Sequence, residues 1–153
     1  MIESELKNDQ YVLFSGCPCQ VDGLKSFLGK EYDKLHTIDI ICHGVPSEKI
    51  LKKYIEEKCD KEKIEEINFR DKSKYKWSTT VLIKTDKQLI QEDYKSSRFW
   101  YAYRNGLIYR EACYNCKYAN MKRTGDITIG DFWGIWEYKR NMNDGMGTSL
   151  VLV

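Results

Sequence analysis

The sequence predicts an α/β fold: a mixed sheet that opens with a β-α-β unit, followed by a small antiparallel insertion and a cysteine-bearing loop. A short apolar run, an amphipathic helical segment and a β-branched run succeed one another between Tyr11 and Cys42, as in a β-α-β unit. Strand-like runs with tight connections follow, and a pair of cysteines comes after them. With 153 residues, 42% of them apolar, we expect a single domain over residues 1–153.

The β-α-β unit shows both apolar patterning and clear stop signals. Its elements are a strand at Tyr11–Ser15, a helix at Gln20–Leu28 that ends at Gly29, and a strand at Leu35–Cys42. Glycine is the residue that most often ends a helix, because it adopts the left-handed conformation without strain. Ile38, Ile40 and Ile41 are β-branched, and we expect them to be buried, as residues of a parallel sheet usually are.

The later elements are shorter. Ser47 is the expected N-cap of the next helix, with Glu48 favourable in its first turn. We expect further strands at Ile64–Phe69, Ser78–Thr85, Gln88–Gln91, Ile127–Ile129 and Ser149–Val153, and a helix at Ser97–Leu107. The first three of these strands form the antiparallel insertion. Because a domain rarely stops at an apolar strand, we expect the chain to be a fragment of a longer protein.

Composition and charge argue against several classes of function. The formal net charge of +2 gives no overall attraction to nucleic acid or to anionic membranes. No apolar run approaches the ~20 residues that span a bilayer, and the first residues lack the basic and apolar regions of an export signal. We therefore expect a cytoplasmic protein. Six cysteines in such a chain indicate metal or redox chemistry rather than disulfides.

Four cysteines are placed to share one site. Cys19 lies in the turn after the first strand and Cys42 ends the second, and ligands in open α/β sheets gather at the carboxyl ends of the strands. Cys113 and Cys116 form a CxxC pair, which can bind one metal atom or cluster. If the later loop brings this pair to the same edge, four thiolates surround either a zinc ion or an iron–sulfur cluster. The alternative is that Cys19 and Cys42 are small buried hydrophobic residues.

Two cysteines stand outside this set. Cys59 lies on a highly charged helical segment, away from the edge where sites form. Cys17 makes a Cys-x-Cys with Cys19 and is interpreted as a spare or redox-active thiol.

Five short motifs occur in one order along nearly the whole chain. They are Phe14-Ser-Gly-Cys-Pro-Cys-Gln20, Ile40-Ile-Cys-His-Gly44, Phe69-Arg-Asp-Lys72, Cys113-Tyr-Asn-Cys-Lys117 and Gly125-Asp-Ile-Thr-Ile-Gly-Asp-Phe-Trp-Gly134. Together they resemble the C-terminal region of the coenzyme F-420 hydrogenase/dehydrogenase beta-subunit family. The chain departs from the family at Cys17, where relatives commonly have a small hydroxyl residue.

The resemblance implies an iron–sulfur flavoprotein. It implies a 4Fe-4S cluster bound by Cys19, Cys42, Cys113 and Cys116, together with FAD. Such a protein passes electrons between the cluster, the flavin and a soluble acceptor that is either coenzyme F-420-like or a ferredoxin. Its expected partner is an electron-donor or electron-acceptor protein, ferredoxin-like or part of a hydrogenase or dehydrogenase.

Candidate flavin contacts follow from the same resemblance. Gly125-Asp126 and Gly130-Asp131 flank a short strand; glycine lets backbone approach a flat ligand, and a carboxylate can accept from a ribityl or ribose hydroxyl. Arg123 is a candidate for a flavin phosphate. Gly16 and Gly44, in the two strand-end turns, are candidates for the same ligand. The alternative is that these Gly-Asp pairs make ordinary turns.

Two other functions compete with electron transfer. Between Arg98 and Arg123, six basic residues and one acidic residue alternate with aromatics, which suits a zinc-stabilised module that binds nucleic acid. The spacing of the cysteines argues against this, because a zinc ribbon has two CxxC pairs close together. Thiol–disulfide exchange through Cys17 and Cys19 or through the CxxC pair is the third hypothesis.

Overall fold

A computed structural model of the chain describes residues 1–73, 76–77, 79–142 and 145–153. Its helices are α1 (Ile2–Lys7), α2 (Pro18–Leu28), α3 (Glu48–Cys59), α4 (Arg98–Arg104), α5 (Glu111–Tyr114) and α6 (Ile135–Tyr138), with a 3-10 helix at Arg140–Met142. Its strands are β1 (Val12–Gly16), β2 (Leu35–Ile40), β3 (Ile64–Asn68), β4 (Val81–Thr85), β5 (Leu89–Glu92), β6 (Ile127–Asp131) and β7 (Ser149–Leu152). The expected α/β class is confirmed.

The chain divides into two compact units. The first comprises Met1–His43 and Cys116–Val153, and the second comprises Gly44–Asn115. The expectation of one domain over residues 1–153 stays a prediction.

The first unit is built on a four-stranded mixed sheet in the order β1-β2-β6-β7. β1, β2 and β6 run parallel, and β7 pairs antiparallel with β6. The opening β-α-β unit is therefore confirmed: α2 connects β1 to β2, and its Val21 is fully buried. Gly29 ends α2 in the left-handed conformation, with φ of 68°, as its position predicts.

The buried positions of β2 are polar, which corrects one expectation. Thr37 and Asp39 are almost fully buried, whereas Ile40 and Ile41 are exposed and Ile38 is half-buried. Side chains of a strand alternate between the two faces, and here the inward positions are those of Thr37 and Asp39. Hydrogen bonds to β6 and to the loop before it satisfy these polar groups, so the β-branched pattern of the isoleucines was the wrong guide to the buried face.

The second unit contains the predicted antiparallel insertion. Strands β3, β4 and β5 form a three-stranded antiparallel sheet. Its core consists of Tyr54, Cys59, Val81, Ile83 and Phe99. α3 begins after Ser47, the predicted N-cap residue. Cys59 is buried on α3, consistent with its placement outside the candidate site.

The remaining element predictions hold with shifted ends. The strand predicted from Ser78 begins at Val81, and Ser78 itself lies outside the described residues. Sequence patterning gave no signal for α1, α5, α6 or the 3-10 helix, which are short segments without a full amphipathic repeat. Within the described ranges, none of the helices combines the length and the hydropathy that crossing a bilayer requires.

Candidate functional site

Cys19 and Cys42 lie at the same edge of the sheet of the first unit. Cys19 is in the first turn of α2, just after β1, and Cys42 lies two residues beyond the end of β2. Because β1 and β2 are parallel neighbours, both residues follow carboxyl ends of strands, where α/β sheets bind ligands. Both are exposed, which excludes the alternative that they are buried hydrophobic residues.

Cys17 is in closer contact with Cys42 than sequence reasoning anticipated. It is the N-cap residue of α2, and its Sγ lies 3.8 Å from the Sγ of Cys42. The backbone N–H of Cys17 donates to Oε1 of Gln20 at 2.8 Å, which fixes the turn between β1 and α2. The sequence did contain a signal for this contact, because Cys17 directly follows the last residue of β1.

The segment that follows Cys116 is attached to α2. Lys117 pairs with Asp22 of α2, with Nζ and Oδ2 3.2 Å apart, and the Tyr118 hydroxyl donates to the same carboxylate. Asp22 lies three residues after Cys19 and therefore on the same side of the helix. These contacts place the segment after Cys116 beside the helix that carries Cys19.

Arg123 attaches the same segment to the sheet. Its guanidinium makes five hydrogen bonds, as many as it has N–H groups. The acceptors are the carbonyls of Tyr118, Asn120 and Ile40, the hydroxyl of Thr128 and the carboxylate of Asp39. Ile40 is the last residue of β2, two residues before Cys42. The cysteine-bearing segment is thus fastened to the strand end that leads to Cys42.

Asp39 is the anionic centre of this arrangement. It is fully buried and accepts hydrogen bonds from Arg123, Thr128, the backbone N–H groups of Thr124 and Gly125, and the Thr124 hydroxyl. Burial raises the pKa of Asp39, but the bonds from Thr128, Gly125 and Thr124 outweigh it and lower the pKa to about 2. Asp39 is therefore ionised at neutral pH, opposite the guanidinium.

The sequence analysis did not identify Asp39, and it did not explain why residue 125 is glycine. A Cβ atom at Gly125 would lie 2.6 Å from the backbone nitrogen of Asp39, so only glycine permits this close approach. The Gly-Asp pair at 125–126 was a detectable signal, but its partner in β2 is far away in the sequence.

The candidate metal ligands are all cysteines, and they are divided between the two units. Cys17, Cys19, Cys42 and Cys116 belong to the first unit, and Cys113 belongs to the second. Across residues 1–73, 76–77, 79–142 and 145–153, no three cysteine, histidine or acidic side chains come together as a metal site. Sulfur is the ligand that zinc and iron–sulfur clusters prefer, so the residue types suit either group.

Four of the candidate flavin residues have intramolecular partners in the first unit. Arg123 makes the five bonds described above. Asp126 accepts from the N–H and hydroxyl of Thr37 at 2.7 and 2.9 Å. A Cβ atom added to Gly16 would meet the Gln20 side chain at 2.9 Å, and one added to Gly130 would meet Ile41 at 2.9 Å. These contacts hold the fold of the first unit together.

The two other candidates are Asp131 and Gly44. Asp131 is the exposed last residue of β6, opposite Ser149 of β7. Gly44, in the second unit, has φ of 118°, and an added Cβ atom would lie 3.1 Å from the ring of Tyr109. The tyrosine ring therefore fills the space that this glycine leaves. The assignment of all six residues to a flavin site stays a prediction.

Comparison with known proteins identifies the family. Residues 9–153 match the family described as the C terminus of the coenzyme F420 hydrogenase/dehydrogenase beta subunit. The chain belongs to this family. The resemblance drawn from the five motifs is confirmed, and the family is one of hydrogenase and dehydrogenase subunits. None of the curated proteins matches the chain.

One solved structure similar to this chain comes from Methanosarcina barkeri. It is a chain of the F420-reducing NiFe hydrogenase complex studied by xenon derivatisation, 16% identical in sequence, with a TM-score of 0.45. The match covers 83% of this chain and 44% of that chain. The chain thus spans less than half the length of that neighbour.

Proposed function

We propose that the chain is the electron-transfer part of a hydrogenase or dehydrogenase subunit, and that Cys19, Cys42, Cys113 and Cys116 bind a 4Fe-4S cluster. One observation carries the proposal: within the first unit, the segment after Cys116 is tied both to the helix of Cys19 and to the strand end before Cys42. The ties are the Asp22 contacts with Lys117 and Tyr118 and the bonds of Arg123 to Asp39 and Ile40. Membership of the family supports the redox role.

The protein's own residues have defined tasks in this proposal. A 4Fe-4S cluster, once bound, accepts and releases single electrons. Asp39 and Arg123 hold the backbone on both sides of the site, and Lys117 adds a positive charge directly next to Cys116. Charge and hydrogen bonding near thiolates set the potential of such a centre. The assignment of Cys113 as a ligand is based on the sequence, since this residue lies in the second unit.

The flavin, the acceptor and the partner subunit form the finer part of the proposal. FAD as the electron partner, a coenzyme F420-like molecule or a ferredoxin as the soluble acceptor, and an electron-donor or electron-acceptor subunit all rest on family membership. The contacts of Arg123, Asp126, Gly16 and Gly130 add no support for a flavin. Acid extraction of the purified protein, followed by chromatography with fluorescence detection, tests for FAD independently of iron.

The cluster is tested by metal analysis of oxygen-free protein. After reconstitution with iron and sulfide, we expect about four iron atoms per chain and an absorption band that bleaches on reduction. Changing Cys19, Cys42, Cys113 or Cys116 singly to alanine should remove most of the iron, because each loss leaves one iron without its thiolate.

Cys59→Ala is the matched control. Cys59 is 2% exposed in the core of the second unit, so its removal should leave the iron content unchanged, and Cys17→Ala should do the same under this ligand assignment. A colourless protein that binds one zinc ion contradicts the cluster. Loss of iron in Cys17→Ala, with iron retained in Cys19→Ala, contradicts the ligand set.

A further inference from the structure

Two thiols meet at the carboxyl edge of the sheet in the first unit. Cys17 caps α2 immediately after β1, and Cys42 follows β2. Their sulfur atoms are 3.8 Å apart although the residues are separated by 25 positions in the chain. Cys42 is exposed and Cys17 is partly exposed, so the pair lies at the surface of the first unit.

This contact has the dimensions that precede a disulfide. A disulfide bond is about 2.05 Å long, so the two sulfurs need to approach by somewhat less than 2 Å. Cys17 lies in the turn before α2, and Cys42 lies beyond the last residue of β2.

We propose that Cys17 and Cys42 form an intramolecular disulfide when the metal-free protein meets a small oxidised disulfide such as oxidised glutathione. The pair differs from the Cys-x-Cys and CxxC pairs that the sequence offers. It also does not depend on iron, so it stands apart from the proposed function.

The reaction takes two thiol–disulfide exchanges. The thiolate of Cys42 attacks one sulfur of oxidised glutathione, the glutathione S–S bond breaks, and one glutathione leaves as a thiolate that takes up a proton. The thiolate of Cys17, 3.8 Å away, then attacks the Cys42 sulfur of the mixed disulfide and releases the second glutathione. Two protein thiols are oxidised, and one oxidised glutathione is reduced to two molecules of glutathione.

One consequence rests on the proposed function. A disulfide removes the Cys42 thiolate from the ligand set, so the oxidised chain should take up iron only after reduction with dithiothreitol. The two ideas remain separable. A mapped Cys17–Cys42 bond in a chain that never binds iron supports the disulfide and contradicts the cluster. Iron binding by a chain that never forms this bond supports the cluster and contradicts the disulfide.

Peptide mapping tests the proposal directly. The full chain is purified with reductant, treated with EDTA, desalted without oxygen, incubated with oxidised glutathione, blocked with iodoacetamide and digested with trypsin. Cleavage after lysine gives one peptide of residues 8–25, which holds Cys17 and Cys19, and another of residues 35–49, which holds Cys42. We expect these two peptides joined by a bond that dithiothreitol breaks, with fragmentation between Cys17 and Pro18 assigning the bond to Cys17.

Single variants provide the matched comparison. Cys17→Ser should abolish the cross-link and leave glutathione attached to Cys42, because the resolving thiol is gone. Cys19→Ser, two residues away, should leave the yield of the cross-link unchanged. The proposal is overturned if wild-type protein carries only glutathione adducts, if the bond maps to Cys19, or if the CxxC pair oxidises while Cys17 and Cys42 remain available to iodoacetamide.

Discussion

The Asp39 carboxylate is a buried charge that is fully hydrogen-bonded. Its partner Arg123 keeps only 17% of its side chain exposed, and the two side chains approach to 3.1 Å. We expect Asp39→Asn to lower the free energy of unfolding by about 3–5 kcal/mol, because removing one member of a buried pair leaves the other charge uncompensated. Urea unfolding followed by circular dichroism measures this loss.

The exposed pair of Asp9 and Lys34 is the control for that substitution. The two side chains lie 2.6 Å apart, but Asp9 is 86% exposed. Asp9→Asn makes the same chemical change where water already solvates the carboxylate, so it should leave the unfolding midpoint nearly unchanged. Equal losses of unfolding free energy in the two variants would show that burial is not the cause of the stabilisation by Asp39.

Helix α2 offers a paired test of backbone conformation at the scale of one element. A Cβ atom at Gly23, inside the helix, meets nothing within 4 Å, and the same holds at Gly29, which ends the helix with φ of 68°. Gly23→Ala should stabilise the protein by about 0.5–1 kcal/mol, because alanine loses less conformational freedom in a helix. Gly29→Ala should destabilise it by about 1 kcal/mol, since alanine is strained in the left-handed region.

Thermal unfolding of the two variants measures these effects. Because neither added methyl group meets a neighbour, packing contributes to neither change, and the opposite signs come from the backbone alone. Shifts of the same sign would contradict the helix end described for Gly29.

For the whole molecule, the lowered carboxyl pKa values predict loss of stability in acid. The pKa of Asp39 is about 2 against an ordinary value of 3.8, and the pKa of Asp126 is also lowered, since hydrogen bonds from Thr37 outweigh burial. The stabilisation is complete above about pH 4 and is lost as the pH falls through 2. For Asp39 it amounts to about 2 kcal/mol.

Denaturant unfolding between pH 7 and pH 2 checks this dependence. The free energy of unfolding should decline in acid for the wild type and decline less for Asp39→Asn, which has lost the carboxyl group whose pKa lies near 2. An unchanged slope in the variant would show that Asp39 is not a main source of the acid sensitivity.

Much of the architecture could be predicted because its signals are local. The glycine after α2, the serine before α3 and the apolar runs of β1 and β2 each determine nearby backbone. The buried side of β2 could not be predicted in this way, because an aspartate is tolerated there only through Arg123 and Thr128, 84 and 89 residues further along the chain. The contact of Cys17 with Cys42 depends likewise on how a helix cap turns one sulfur toward the next strand.

The polar pair between β2 and β6 also restricts how these strands can assemble. Asp39 and Thr128 are direct neighbours across the two strands. Displacing one strand by a single residue would turn the carboxylate toward solvent and bring an isoleucine into its place, leaving the arginine without its counter-charge. A sheet paired in the wrong register therefore loses the hydrogen bonds of Asp39, and the buried carboxylate favours the correct pairing of β2 and β6.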